Sequence, residues 1–515
     1  MSSLGSPVRV PVRPGTVSPV ALETLRERVG GRIEGDDAAA VTGLTLSSSS
    51  VQAGDLYAAL AGARTHGANF AQEALESGAC AVLTDPAGAE QVRPLGLPLL
   101  VVDEPRRVLG ATAAAVYGSP AAQLTLVAVT GTSGKTTTTQ LMVAGLRAAA
   151  RRSAVVGTMG TWVDDVAVAS TLTTPEAPEL HALFAVMVER GVEVCALEVS
   201  SHALVLGRVD GVVFDLAVFT NLGRDHLDFH VDVESYFAAK AGLFTPQRAR
   251  RALVVVDDEH GRRLARHPEV EMRTLTSGAG DADWRVTTLD ADELGSTFEL
   301  TGPRGQRVTG SVPLPGAFNV VNAACALASL AEVGVDLVAA AEGVASAPAV
   351  AGRMERVACG QPFTVVVDYA HKPDAVAAAL QALRPVTEGR LLVVLGAGGD
   401  RDQGKRRLMG EIAARLADVV VVTDDNPRSE DPAVIRAELV AGANAAAAEA
   451  MVLDVADRRA AILRALVEAR PGDAVLIAGK GHETGQEVDG RVLPFDDRAV
   501  ARSLLAEIVA AGASR

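Results

Sequence analysis

Cysteine is scarce in this chain: Cys80, Cys195, Cys325 and Cys359 lie far apart, with no Cys-x-x-Cys spacing. That pattern excludes a disulfide framework or a cysteine zinc site and suits a reducing compartment. Basic charge is also in deficit. A formal net charge of -15 repels polyanions, which argues against nucleic acid or an anionic membrane as partner, so any phosphate has to be held by local groups. No apolar run approaches the ~18 residues of a membrane span. The opening stretch MSSLGSPVRVPVRPGTVSPVAL is broken by prolines and lacks the continuous apolar segment of a secretory signal. Internal repeats are missing too, and alanine richness is the only compositional bias. These absences predict a soluble cytoplasmic protein, expected to be a monomer.

What is present is ordinary globular composition, 48% hydrophobic and 22% charged, in a chain too long for one core. Three α/β domains are expected. Residues 1–118 carry short apolar runs (GDLYAALAG, CAVLTD, LPLLVVDEP) between alanine-rich helical stretches, and Gly118-Ser119-Pro120 breaks the pattern as a linker would. Residues 119–347 alternate the strand-like LTLVAVTG, VEVCALEVSS, DLAVFTN and RALVVVDDE with helical stretches, which predicts a mostly parallel sheet. About residues 283–315 the pattern becomes polar/apolar alternation with Gly and Pro turns, predicting antiparallel strands at one edge, before a helix near Asn319. Residues 348–515 repeat strand then helix in a second, Rossmann-like sheet. Its runs FTVVVDYAH, RLLVVLGAGGD, DVVVVTDDN and AVLIAGKGHE all end in polar residues, where such sheets bind ligands.

The run Gly131-Thr132-Ser133-Gly134-Lys135-Thr136-Thr137 follows a strand and opens a helix. Small residues let backbone N–H groups close on phosphates, Lys135 adds charge, and the Thr136 hydroxyl suits Mg²⁺. The strict P-loop spacing is not met, because Val129 stands where its first Gly belongs. Two further strand ends, Glu198-Val199-Ser200-Ser201-His202 and Thr220 to Asp228 (TNLGRDHLD), offer oxygen and nitrogen groups at the same edge. Beside a phosphate loop they form a plausible metal and phosphate site, since Mg²⁺ needs only one or two protein oxygens. Lys240, in YFAAKAGLF, reads by itself as a surface lysine snorkelling past an apolar helix face. Gly396-Ala397-Gly398-Gly399 is not a dinucleotide loop, because the third glycine of that fingerprint falls on Arg401.

The shortened P-loop, EVSSH, TNLGRDHLD and YFAAKAGLF, in this order and spacing, resemble the Mur ligases from about residue 41 to the C-terminus, and the later motifs resemble the branch that adds diaminopimelate. The resemblance implies an ATP-dependent amide-bond ligase of peptidoglycan precursor synthesis, and so of wall biogenesis, cell shape and division. In such enzymes ATP phosphorylates a peptide carboxylate, and an amine attacks the acyl phosphate. It further implies that Gly131, Thr132, Ser133, Gly134, Lys135, Thr136 and Thr137 hold the ATP phosphates and that Asn319 and Asn322 lie near the adenine. Arg353 and Asp368 reach ATP from the third domain, with Tyr369 and His371 beside them. Thr136, Glu198 and His226 would ligate Mg²⁺, with Lys240 carbamylated as a further ligand, the reverse of its reading as a surface residue. Lys135, Glu198, His226 and Lys240 are then the catalytic set.

By the same resemblance Thr173, Thr174, Ser200 and Arg208 grip the UDP-muramoyl-dipeptide, although Leu206 stands where a glutamine contact is often found. Ser47-Ser48-Ser49 replaces the family's Asp-Ser-Arg, leaving Ser48 as the uridine or phosphate contact, with the loop Ala63-Arg64-Thr65 nearby. Asp425-Asn426-Pro427-Arg428 is the mark of meso-diaminopimelate users. A guanidinium takes a carboxylate through two parallel hydrogen bonds, and the far carboxylate is what distinguishes this amino acid from lysine. Arg401, Gly479 and Glu483 match the remaining diaminopimelate contacts. A lysine-adding ligase, a folylpolyglutamate synthase-like ligase and a P-loop switch with no ligase activity are the alternatives.

Overall fold

The computed structural model describes residues 13–62, 64–168, 172–292 and 295–513; Ala63 and the first twelve residues of the opening stretch lie outside them. The fold is mixed α/β and is organised around three large sheets.

The first sheet has strands β1 (Arg32–Glu34), β2 (Gly43–Thr45), β3 (Asp55–Ala59), β4 (Ala79–Thr84) and β5 (Leu99–Val101), in the order β1-β5-β4-β3-β2. All pairs but β1 with β5 are parallel. Leu56, Ala58, Leu83 and Leu100 pack from it towards the helix Pro105–Val116.

Among the described residues the second sheet has eleven strands. Its centre is β6 (Thr125–Thr130), followed by the phosphate-loop sequence and helix α1 (Lys135–Ala148). Next come an antiparallel set, β7 (Ser153–Gly157), β8 (Gly160–Val163) and β9 (Val166–Val168), that the sequence reading did not anticipate, and helix α2 (Ala177–Glu189). Then follow β10 (Val194–Glu198), β11 (Leu216–Phe219), helix α3 (Val233–Ala241), β12 (Arg251–Val255) and β13 (Glu271–Thr276). The sheet ends in β14 (Trp284–Ala291), β15 (Ser296–Thr301) and β16 (Arg307–Val312), and helix α4 (Ala317–Glu332) packs against it. The order is β9-β8-β7-β10-β6-β11-β12-β13-β14-β15-β16. The last three strands pair antiparallel at one edge, as the alternation predicted. The central strands are buried on both faces, which is why they read as continuous Val/Leu/Ala runs. Their register sets Glu198 beside Val129 and Phe219 beside Thr130, so three strands finish together at one carboxyl edge.

The third sheet contains β17 (Glu355–Arg356), β18 (Thr364–Asp368), β19 (Leu391–Leu395), β20 (Val419–Val422), β21 (Met451–Asp454) and β22 (Ala474–Ala478), in the order β17-β18-β22-β19-β20-β21. Helix α5 (Pro373–Leu383) follows β18. Asp368 pairs with Ala478, and Leu395 with Val422, which brings the polar continuations of these four strands to one rim. A hairpin, β23 (Gly485–Val488) with β24 (Arg491–Pro494), folds beside that rim and touches it at Arg428. Among the described residues no helix is long and apolar enough to cross a membrane.

Candidate active site

The phosphate loop turns sharply between β6 and α1. Gly131 and Gly134 have φ of 150° and 88°, values side chains avoid. A Cβ on Gly131 would collide with the Thr220 hydroxyl, and one on Gly134 with the Asn322 amide. Asn322 therefore packs on the phosphate loop itself, and its Nδ2 donates to Asn319 Oδ1 at 3.2 Å. Asn221 shapes the loop by accepting from the Ser133 N–H at 2.9 Å and donating to its carbonyl at 3.1 Å.

Glu198 is buried at the end of β10. Its carboxylate accepts from the Thr136 hydroxyl at 3.0 Å and from the Thr158 N–H and hydroxyl at 2.9 and 3.0 Å. The Thr174 hydroxyl donates to the Glu198 carbonyl at 2.8 Å, and Thr173 meets Thr158 at 3.3 Å. Arg208 donates to Glu176 at 2.8 Å and to the Thr174 carbonyl at 3.3 Å, while Ser200 caps the turn Ser201–Val205. The Thr-Thr-Pro segment, Ser200 and Arg208 thus adjoin Glu198. Among the described residues no hydrogen bond links Ser48, on the turn Ser48–Ser50, to any of them.

Lysines gather on the other side of the loop. Lys135 folds back to donate to the Gly131 carbonyl at 2.7 Å. Lys240 is not a snorkelling surface residue: it is 1% exposed and donates to that same carbonyl at 2.9 Å. Its helix α3 turns the lysine inward, beside the buried Tyr236, whose ring centroid is 4.7 Å from Nζ. Burial, with Lys135 and Lys372 close by, pushes the Lys240 amine well below the usual lysine range. Burial and Lys372 bring Lys135 down to about 8. Glu198 and Asp225 act in the opposite sense on Lys135, and Asp225 is the carboxylate paired with Lys372. Burial raises its carboxyl, but Lys372 at 2.6 Å and His226 at 3.0 Å outweigh that and hold it well below the usual range. His226 adopts φ 54°, an uncommon conformation for a residue with a Cβ, and burial lowers its imidazole to about 3.

The donors fit a hard cation. Thr136 and Glu198 present oxygens in contact with one another, and among the described residues no three His, Cys, Asp or Glu side chains could enclose a metal by themselves. Mg²⁺ suits such a partial set, because it keeps water and substrate phosphates as ligands.

The third sheet reaches this cluster. Arg353 donates to the Thr136 hydroxyl at 3.2 Å and lies 4.6 Å above the Tyr369 ring. Asp368 accepts from the Met354 N–H at 2.7 Å, and burial raises its carboxyl against the pull of Arg353. Farther along the rim, Arg428 (φ 53°) donates through Nε to Glu487 at 3.0 Å and through Nη1 to the Gly399 carbonyl at 2.7 Å. The glycine loop is therefore a support for Arg428. Asn426 donates to Glu483 at 2.9 Å and accepts from Lys480 at 2.7 Å. Asp425, Pro427 and Gly479 are buried beneath, with Lys480 3.4 Å from Asp425. Arg401 is exposed and pairs with Asp228 of the second sheet at 3.3 Å.

One chain thus joins a phosphate loop to a guanidinium and carboxylate rim. The profile of the Mur ligase family catalytic domain matches residues 40–117, that of the Mur ligase middle domain residues 129–330, and that of the Mur ligase glutamate ligase domain residues 352–481. The UDP-N-acetylmuramoyl-L-alanyl-D-glutamate–2,6-diaminopimelate ligase of Streptomyces coelicolor is 53% identical over 500 residues, 96% of this chain and 98% of its own. The chain belongs to the Mur ligase family. The ligase of the same name from Corynebacterium glutamicum is 49% identical over 91% of this chain and 92% of its own. A solved structure of a ligase of that name superposes with TM-score 0.65 at 32% identity, covering 96% of this chain and all of that one.

Within this Mur ligase framework, sequence reasoning missed Asp225, Lys372, Thr158 and Lys480 as parts of the site. Asp225 stands inside TNLGRDHLD and Lys372 directly follows FTVVVDYAH, neither with a role readable from the chain, and only spatial proximity reveals their pairing. Thr158 lies in a loop with no local signal.

Proposed function

We propose that this Mur ligase uses ATP to add meso-diaminopimelate to UDP-N-acetylmuramoyl-L-alanyl-D-glutamate, as a monomer in the cytoplasm, with working domains divided near residues 118 and 347. The single observation that carries the choice of amino acid is Arg428, held on the same rim as Asn426 and Glu483. A guanidinium for the far carboxylate and a carboxylate for an ammonium suit a zwitterionic diamino acid.

Phosphoryl transfer needs positioning and charge neutralisation more than covalent chemistry from the protein. The backbone of Gly131 to Thr137 and the Lys135 ammonium would cradle the triphosphate, with Asn319 and Asn322 near the base and Arg353 and Asp368 contacting the nucleotide from the third sheet. Thr136, Glu198 and His226 would hold Mg²⁺, which supplies charge neutralisation when bound. Lys240, as a buried amine biased towards its neutral form, would add to CO₂ with loss of a proton; the resulting carbamate is an oxygen ligand and relieves the crowding of ammonium groups. Carbon-13 NMR after incubation with labelled bicarbonate tests this through a carbamate signal absent from Lys240→Ala.

Thr173, Thr174, Ser200, Arg208 and Ser48 would hold the UDP-dipeptide so that its free carboxylate attacks the γ-phosphorus of ATP, releasing ADP. The amine of diaminopimelate then adds to the acyl phosphate, and the tetrahedral intermediate expels phosphate to leave the amide. Arg401, Asn426, Arg428 and Glu483 would orient that amine, with Asp425, Pro427 and Gly479 forming the floor.

An amino-acid panel with the UDP-dipeptide tests the reading, with new amide expected from meso-diaminopimelate and little from lysine. Arg428→Ala should lower kcat/KM for diaminopimelate by about 10²-fold, the loss of a charged hydrogen-bond pair, with KM for ATP unchanged. Equal use of lysine, or a loss confined to ATP, overturns the assignment.

A further inference from the structure

Lys372 has no role in the reading above, yet its placement is distinctive. It precedes α5, at the rim of the third sheet, and is 9% exposed. Among the described residues, both partners of its ammonium belong to the second sheet's loops: the Thr132 carbonyl of the phosphate loop at 3.2 Å and Asp225 at 2.6 Å. Lys372 therefore does not staple its own sheet together. It is the buried member of a seam. Around it, Arg224 pairs with Asp402 at 3.2 Å and Arg401 with Asp228 at 3.3 Å, both between the turn after β11 and the loop after β19. A Cβ on Gly223, in that turn, would collide with Asp374 of α5.

The surface pairs are solvated and contribute little. The Lys372 pair is different, because removing one member of a buried pair leaves the other charge uncompensated. It also touches the loop at a useful place. Arg353 holds the Thr136 end of the phosphate loop and Lys372 holds the Thr132 end, so the third sheet grips the loop at two points. Through Asp225 the same ammonium is one residue from His226, whose Nε2 faces that carboxylate.

We propose that Lys372 is a positioning residue for phosphoryl and acyl transfer: it locks the phosphate loop and the Asp225-His226 turn to the third sheet, so that the activated carboxylate and the incoming amine are held in one register. The inference rests on the ligase reading. Turnover of the unaltered enzyme with diaminopimelate tests that reading, and the Lys372 variants, assayed beside it, test this one.

Lys372→Gln keeps a donor for the Thr132 carbonyl and removes the charge. Its kcat should fall by about 10²-fold, the scale of a misplaced reacting group, with KM for ATP within about 3-fold, since the phosphate loop itself is intact. Lys372→Gln combined with Asp225→Asn removes both buried charges together, leaves neither unpaired, and should show the same loss of kcat if the single variant fails to fold. Melting curves identify which variant is folded. A folded variant whose kcat stays within about 3-fold, or whose loss lies wholly in KM for ATP, overturns the proposal.

Discussion

The two ends of the candidate site balance their charges in opposite ways. At the phosphate end, Lys135, Lys240 and Lys372 converge: Lys372 pairs with Asp225, Lys135 and Lys240 both donate to the Gly131 carbonyl, and the Glu198 carboxylate accepts from hydroxyl and N–H donors of threonines. At the amino-acid end three cations have carboxylates beside them: Arg428 has Glu487, Lys480 has Asp425 and Glu483, and the buried Arg406 has Glu430 and Glu438. An excess of buried ammonium groups is costly unless an anion completes it. Carboxylates are therefore fewer than lysines at the phosphate end, whereas the cations named at the other end are matched; we predict that a charged ligand arriving there exchanges partners with these pairs.

The largest effect should come from breaking the phosphate end. Lys135→Ala is expected to lower tripeptide formation by about 10³-fold, the upper range for removing one preorganised transition-state donor. KM for diaminopimelate should stay within about 3-fold, because a transition-state contact at the far end adds nothing to ground-state binding of the amino acid. Chromatographic quantitation of UDP-tripeptide checks both, and a loss that appears chiefly in the amino-acid KM would erase the distinction between the ends.

A second prediction asks whether unmatched buried charge is confined to the site. Among the described residues, His181 on α2 is buried outside it, pairs with no carboxylate, donates to the Asp210 carbonyl at 3.2 Å, and leaves Nδ1 without a hydrogen-bond partner. Burial lowers its imidazole from 6.5 to about 4. The unfolded chain then binds this proton first as pH falls, so the contribution of His181 is intact above pH 6.5 and is lost on descending towards 4. The shift corresponds to about 3 kcal/mol over that window. Calorimetric melting at pH 7 and pH 5 should show a larger drop in Tm for the unaltered protein than for His181→Met. Equal drops would mean that this histidine is charged in the fold.

Much of this contrast was legible in the sequence, and the limits have physical causes. The central strands announced themselves because burial on both faces demands continuous apolar runs, and Gly131 to Thr137 because a phosphate loop needs glycines with positive φ ahead of a helix. Lys240 shows where local reading fails. The apolar face around it is the same whether the lysine points outward or inward, and only the docking of α3 against the phosphate loop decides. Strands β7 to β9 escaped because short antiparallel segments interrupted by Gly and Asp carry too little periodicity. The Lys372–Asp225 pair joins positions 147 residues apart, beyond the reach of any pattern in the chain.

The smallest expected effect sharpens the exchange at the amino-acid end. Arg428 Nε is engaged by Glu487, a side chain 41% exposed, so a ligand carboxylate arriving at the guanidinium competes with an ion pair of modest strength. The backbone does not depend on that pair. The Arg428 N–H donates to the Glu487 carbonyl at 3.1 Å, and the Glu487 N–H to Asn426 Oδ1 at 3.0 Å, so the hairpin keeps its place when the carboxylate is neutralised. Glu487→Gln should therefore free the guanidinium without moving it and lower KM for diaminopimelate by about 3-fold, the scale of a solvated ion pair, with kcat unchanged. Steady-state titration of the amino acid at saturating ATP and UDP-dipeptide measures it. A rise in KM instead would show that Glu487 aims Arg428 rather than competing for it, and the amino-acid end would then be preformed for its ligand instead of exchanging partners to admit it.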